Sequence, residues 1–340
     1  MIRIKVTSRG SHGSKHTVER DGCMFIFDNE CRDYDWMLVY DELPKKSGSI
    51  TNETEPLACP QEHTILVTQE PPSIKIYPKC YTSQFQYVLT TLTPKQLPHP
   101  RHEYGEGCLL WYAGIPMEEA FSQPDYPKSK CISTICSAKQ QTHTLHKKRY
   151  NLIKYLSGRI PEMEWYGRGV RELKKKYEAQ NDYRYTIAIE NYVAPYHWTD
   201  KISDPLLSLC LAFYVGDPRL EEIFPAESFI RIPLDDYEEA YRIIRNAIDN
   251  NEYEKRLPAI REARRILVEK HNIYNRVAEL IKQHHNEPTK PLPEKPVLLK
   301  GRHALRRNNG DNNIAIFLFA HLAFFKIAHH AANTLHNIHL

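Results

Sequence analysis

Tyr185-Thr186-Ile187-Ala188-Ile189-Glu190-Asn191-Tyr192, followed by Trp198-Thr199-Asp200-Lys201-Ile202-Ser203-Asp204, decides how this chain is read. An apolar strand runs straight into polar residues, and Thr199 then opens a helix. In open α/β sheets ligands bind beyond the carboxyl ends of the strands, which is where Glu190 and Asn191 stand. Thr199 is a good N-cap, and the amides that follow it point toward an anion. Lys201 adds a positive charge there, and Asp200 is able to accept two hydrogen bonds from a vicinal diol such as a ribose. The same residues also fit an ordinary capped helix with a solvated first turn.

Outward from this stretch the pattern alternates. Cys131-Ile132-Ser133-Thr134-Ile135-Cys136 reads as a buried strand, a helix is expected over about 143–157, and a strand ends at Glu164-Trp165-Tyr166. A helix over about 200–210 is followed by strands at 211–215 and 228–232. Ala240, Ile243, Ile244 and Ala247 give the next helix its apolar stripe, and a longer helix is expected from about 253 to 283. Such alternation argues for a parallel sheet with helices on both faces. The first third holds short strands at 37–40, 64–68 and 87–90, after an alternating Met1-Ile2-Arg3-Ile4-Lys5-Val6. Pro116, Pro124 and Pro127 mark a domain boundary near residue 125. Residues 284–313 read as a Pro-rich basic linker, and 314–340 as an amphipathic helix that either lies on a membrane surface or packs on the protein.

The chain has 340 residues, 41% hydrophobic and 26% charged, which excludes a mostly disordered protein. Its net charge of +4 falls within residues 284–340, and the rest is neutral, so a nucleic-acid partner is not expected. None of the eight cysteines forms a C-x-x-C pair, which removes zinc-ribbon and thioredoxin-like readings. A strand rather than a signal peptide opens the chain, so the thiols are expected reduced and the protein cytoplasmic, or peripheral on the inner face of the cytoplasmic membrane. The sequon Asn52-Glu53-Thr54 has little weight for the same reason.

Arg149 falls in the middle of the apolar stripe Leu145, Leu152, Ile153 and Leu156. A guanidinium there either snorkels past the core edge or faces a buried anion. Tyr166-Gly167-Arg168-Gly169 follows a strand end and brings backbone close to a ligand, although no complete G-x-G-x-x-G or P-loop occurs. Thr68-Gln69-Glu70-Pro71-Pro72 offers one carboxylate on a rigid turn, suited to a general base or to the surface. Asp33-Tyr34-Asp35 reads as a loop before a strand. His99/His102 and His143/His146 lack the other ligands of a metal site, and none is assigned.

Taken together these motifs resemble glycosyltransferase family 10, the alpha-1,3/4-fucosyltransferases. The resemblance is carried by 185–191, by Thr199-Asp200-Lys201-Ile202, by Phe213-Tyr214-Val215-Gly216-Asp217-Pro218, and by Phe224-Pro225-Ala226-Glu227-Ser228-Phe229-Ile230. It covers about 130–275 well. Over 1–125 it rests on Asp35-Trp36-Met37-Leu38-Val39 and Gln69-Glu70-Pro71-Pro72-Ser73. It implies a GT-B architecture, two Rossmann-like domains facing across a cleft, with 1–125 binding the acceptor and 126–283 the GDP-sugar.

The implied reaction is inverting transfer of fucose from GDP-fucose to O3 or O4 of GlcNAc or Glc on a glycan acceptor. It needs no cofactor and no metal. Carried over by position, Arg149 and Lys201 hold the diphosphate, Asp200 the ribose, and Ser137, Tyr166 and Gly167 line the nucleotide pocket. Glu190 and Asn191 lie near the sugar, His197 and Thr199 complete the donor side, and Glu70 is the base. Tyr192, His197 and Asp200 depart from the family pattern, which leaves another GDP-deoxysugar open. A dehydrogenase-like enzyme is the other enzymatic reading, against which the missing glycine fingerprint counts. A non-catalytic, membrane-associated nucleotide-sugar-binding protein is the remaining one. The tail suits an anionic membrane surface carrying an oligosaccharide or lipid-linked glycan acceptor, and truncation after about 285 is expected to spare donor chemistry.

Overall fold

The computed structural model describes residues 1–9, 15–44, 53–105, 119 and 125–308. Cys108, Asn52, residues 309–313 of the expected linker and the amphipathic segment 314–340 lie outside the described residues. Eight strands are described before residue 105: β1 (Ile2–Ser8), β2 (His16–Arg20), β3 (Cys23–Phe27), β4 (Trp36–Tyr40), β5 (Thr54–Pro56), β6 (Thr64–Val67), β7 (Tyr87–Thr90) and β8 (His102–Tyr104). All but β5 join one sheet in the order β2-β3-β1-β4-β6-β7-β8. Its pairs are parallel except β2 with β3. That hairpin turns through Asp21 and Gly22, with φ of 55° and 79°, the backbone a two-residue type I′ turn demands.

The period of two sorts this sheet's side chains into two cores. Trp36, Leu38, Tyr40, Ile65, Val67, Tyr87 and Leu89 enter one, and Met37, Val39, Leu66 and Val88 the other. The alternation in β1 does not leave one face in water, because both faces are covered. Lys5 is completely buried, and its ammonium meets Glu55 at 2.7 Å and the carbonyl oxygens of Asn29 and Cys31 at 2.6 and 3.1 Å.

The second sheet is wholly parallel: β9 (Lys130–Ile135), β10 (Met163–Tyr166), β11 (Tyr183–Ile189), β12 (Leu211–Val215) and β13 (Phe229–Arg231), in the order β10-β9-β11-β12-β13. The chain leaves β9 to one side and returns on the other, so the topological switch point lies between β9 and β11. The helices are α1 (Lys79–Thr82), α2 (His146–Ser157), α3 (Asp200–Leu207), α4 (Tyr237–Asp249), α5 (Glu252–Glu269), α6 (Ile273–His284) and α7 (Arg302–Asn308). The molecule is therefore α/β with two Rossmann-like parallel sheets. Among the described residues no helix is long and apolar enough to cross a membrane.

The single helix expected over 253–283 is two. Asn272, 1% exposed, ends one and starts the other. Its side chain accepts the Asn275 amide at 3.0 Å as the N-cap of α6 and donates to the Val268 carbonyl at 3.0 Å near the end of α5. The break redirects α6 onto the first sheet, where Tyr274 packs against Phe25 with ring centroids 4.8 Å apart. One apolar cluster then runs from β1 and β3 through α6 into the second unit.

Nor are residues 284–308 a bare linker. β14 (Leu298–Lys300) pairs antiparallel with β5, Leu299 is buried in the first unit, and Arg302 of α7 reaches Glu42 at 2.7 Å. The short apolar run Val297-Leu298-Leu299 after the prolines supplies the buried residues. A cut after about 285 strips this strap from β5 and the first unit, so such a truncation removes part of the fold rather than a tail. Asn272→Ala should lower the unfolding free energy in urea titration by about 1–3 kcal/mol, since it deletes a cap and leaves buried backbone groups unpaired. An unchanged stability would mean that packing alone sets the break.

Candidate functional site

Two adjoining pockets open along the carboxyl edge of the second sheet, and both are lined by Asp200 and Lys201. The first, about 200 Å³, lies at the β9/β11 switch point and is lined by Ile135, Ser137, Arg149, Gly167, Arg168, Lys176, Gln180 and the end of β11, with Asp204 and Pro205 of α3. The second, about 220 Å³, is lined by Gln69, Glu70 and Pro71 from the first unit and by Asn191, His197, Thr199, Asp200 and Lys201 from the second. The turn after β6 thus faces the start of α3 across a cleft.

Glu190 anchors this arrangement from beneath. It is fully buried, and its carboxylate accepts the Thr199 amide at 2.9 Å and the Thr199 hydroxyl at 2.8 Å. The Lys201 ammonium stands 3.5 Å from the same carboxylate and 3.1 Å from the Thr199 hydroxyl oxygen. Burial raises the Glu190 pKa, with Lys201 pulling the other way. Glu190 lines neither pocket. From beneath the cleft it positions Thr199 and Lys201.

Asp200 is bonded by Lys176, which also stands 3.5 Å from the buried Asp204. Burial works against the Asp200 charge, yet Lys201 and Lys176 bring its pKa down to about 2. Lys176 comes from a short 3-10 turn before β11 and is absent from the residues singled out in the sequence. Its one signal there is the basic run Lys174-Lys175-Lys176 between two strands.

Arg149 is 6% exposed on α2, and among the described residues its Nε has no hydrogen-bond partner. It has not snorkelled to the surface; it lines the first pocket. The potential it shares with its neighbours registers on His146, whose pKa falls to about 4 through burial and repulsion from Arg149, Lys139 and Lys201. A buried guanidinium with an unpaired Nε, beside a neutral histidine, favours an anion in the first pocket.

Gly167 lets the loops after β9 and β10 touch. Its φ is 141°, and a β-carbon there would stand 2.5 Å from the Cys136 carbonyl oxygen. Tyr166 turns away instead, its hydroxyl 2.7 Å from both Glu164 and the Tyr183 hydroxyl. It is 4% exposed and is not among the residues that line the first pocket.

His197 is 2% exposed, with Nδ1 3.3 Å from the Thr91 hydroxyl of the first unit. Burial and Lys201 lower its pKa to about 4, so it is neutral at pH 7. The Asn191 carbonyl accepts the Leu145 amide at 3.1 Å, tying the loop after β11 to the start of α2. Glu70 is half-buried; burial and Asp41 raise its pKa, against Lys75, Lys201 and Lys139. Among the described residues no three His, Cys, Asp or Glu side chains gather as a metal site would require. Asp33, Tyr34 and Asp35 form the loop before β4, with Asp35 accepting the Arg3 amide at 2.8 Å.

No protein-family signature matches the chain, and no curated protein matches it. Among solved structures it is similar to an alpha1,3-fucosyltransferase, at 13% identity over 80% of this chain and 91% of that one, with a TM-score of 0.43. The alpha1,3-fucosyltransferase structure with GDP-fucose gives 14% identity over 75% and 81%, TM-score 0.43. Sucrose-phosphate synthase from Thermosynechococcus elongatus gives 9% identity over 84% and 88%, TM-score 0.44.

Arg149→Ala should weaken binding of inorganic pyrophosphate about 10- to 100-fold in calorimetry, the loss expected for a charge-assisted hydrogen bond in a partly dry site. Binding as tight as wild type would leave Arg149 a core residue.

Proposed function

We propose that this protein is an inverting glycosyltransferase that moves fucose, or a closely related deoxysugar, from a GDP-sugar to a hydroxyl of a glycan acceptor. The observation that carries this reading is the second pocket. A half-buried carboxylate from one unit, Glu70, faces across it the cationic start of α3 in the other. The first pocket offers a diphosphate the guanidinium of Arg149 and the ammonium of Lys201, with Asp200 placed for a ribose and Ser137 and Gly167 close to the nucleotide. The fucosyltransferase-like motifs of 185–230 agree with that assignment.

In this reading Glu70 takes the proton of the acceptor hydroxyl as its oxygen bonds to the anomeric carbon. The bond from that carbon to the phosphate oxygen breaks in the same displacement, with inversion. Charge that develops on the departing GDP meets Arg149, Lys201 and the first amides of α3, cations and dipoles already in place. Fixed positive charge is what a divalent metal would otherwise supply, so transfer proceeds without one. Neutral His197 and Asn191 line the sugar's side of the cleft. The acceptor is an oligosaccharide or lipid-linked glycan, and the basic segment that begins at 284 brings the enzyme to an anionic surface.

GDP release from GDP-fucose, assayed with galactose- and N-acetylglucosamine-ending acceptors, should survive EDTA. Glu70→Gln should nearly abolish it while GDP binding persists. Turnover that required Mn²⁺ would contradict the mechanism, and a fully active Glu70→Gln would remove the base. Because the Glu70 pKa is raised, kcat/KM should fall with decreasing pH, its acid limb lying above the ordinary glutamate value of about 4.3. An acid limb at or below that value would show that another group titrates.

A further inference from the structure

A second polar cluster lies at the carboxyl edge of the first sheet, outside both pockets. Just beyond β4, Asp41 has a φ of 69°, a conformation costly for a residue other than glycine. Its carboxylate accepts the Tyr77 hydroxyl and the Lys75 ammonium, and the Tyr81 hydroxyl donates to its carbonyl at 3.2 Å. Tyr77 is 7% exposed, and its hydroxyl oxygen accepts the backbone amides of Gln69 and Glu70, each at 3.1 Å. Both lone pairs and the proton of the phenol are thereby used. Lys75 continues to Glu42 at 3.4 Å, which Arg9 and Arg302 hold at 2.6 and 2.7 Å.

We propose that Tyr77 and Asp41 are positioning residues for Glu70: the Asp41 carboxylate orients the Tyr77 phenol, which holds by two amides the turn that carries the Glu70 side chain into the cleft. The proposal rests on the reading of Glu70 as the base. Pro71 and Pro72 stiffen the turn from its far side. A displacement of about 1 Å at a reacting group costs on the order of a hundredfold in rate, so a turn fixed at both ends has a chemical use. Asp41 also acts through charge. The groups that bear on the Glu70 carboxyl are Asp41 and Lys75 from its own unit and Lys201 and Lys139 from the donor side.

The test compares wild type, Glu70→Gln, Tyr77→Phe and Asp41→Asn in the full chain. GDP affinity is read by calorimetry. kcat, KM for GDP-fucose and the pH profile are read with a galactose- or N-acetylglucosamine-ending acceptor. Tyr77→Phe should leave GDP affinity and KM unchanged and lower kcat about 10- to 100-fold. Asp41→Asn should lower kcat and also move the acid limb to lower pH, since removal of a neighbouring negative charge eases ionisation of Glu70. Unchanged kcat and acid limb in both variants, beside an inactive Glu70→Gln, would overturn this inference alone. GDP affinity lost together with kcat in Tyr77→Phe would overturn it too, making Tyr77 a support of the whole fold. An active Glu70→Gln would overturn the base assignment and, with it, this inference.

Discussion

The buried carboxylate of Glu190 sets the geometry on which the cleft depends. A carboxylate removed from water is tolerated only where hydrogen bonds and an opposite charge replace its hydration. Thr199 supplies an amide and a hydroxyl, and Lys201 supplies the charge. Meeting that demand fixes where α3 begins and which way its first amides point. It also holds the Lys201 ammonium at the seam of the two pockets rather than free in solvent. The chemistry of the cleft is thus a by-product of satisfying one residue at the end of β11.

The two units contribute opposite things to that seam. Loops after the strands of the second sheet converge on its switch point and gather Arg149, Lys176 and Lys201, with Asp200 and Asp204 moderating them. From the first sheet comes a turn bearing a carboxylate whose burial favours its proton-bound form. Positive charge is held on one bank and a carboxyl group on the other. A polar ligand bridging them would lie in a field of one direction.

Much of the second unit is legible in the chain because its parallel strands are uninterrupted apolar runs. Residues 131–136 and 211–215 need no partner to be recognised. The first unit is harder to read. β2 is His16-Thr17-Val18-Glu19-Arg20, mostly polar, and only the Asp21-Gly22 turn betrays the hairpin. The break at Asn272 is a cap signal inside a continuous helical pattern, where periodicity outweighs it. Within the site, Arg149, Thr199, Lys201 and Glu70 carry local cues: an odd charge in an apolar stripe, a cap, a rigid turn. Lys176 and the strap at 298–302 carry almost none, because their meaning lies in partners 24 and 260 positions away. Where the side chains of Glu190 and Tyr166 point is hidden for a related reason. A motif marks that a residue matters near a ligand, not whether its side chain points toward the ligand or beneath it.

The helix α6 and the strap that follows it return the chain to the sheet where it began. The first unit is consequently assembled from chain segments on either side of the second, which is an insert between them. Recombination at a single site near residue 125 would join one protein's front sheet to another's α6 and Arg302, partners that never evolved together. Exchange of the first unit between such proteins needs two crossovers, or gradual change in the loops of the cleft. Divergence by loop substitution is therefore the easier evolutionary path open to this architecture.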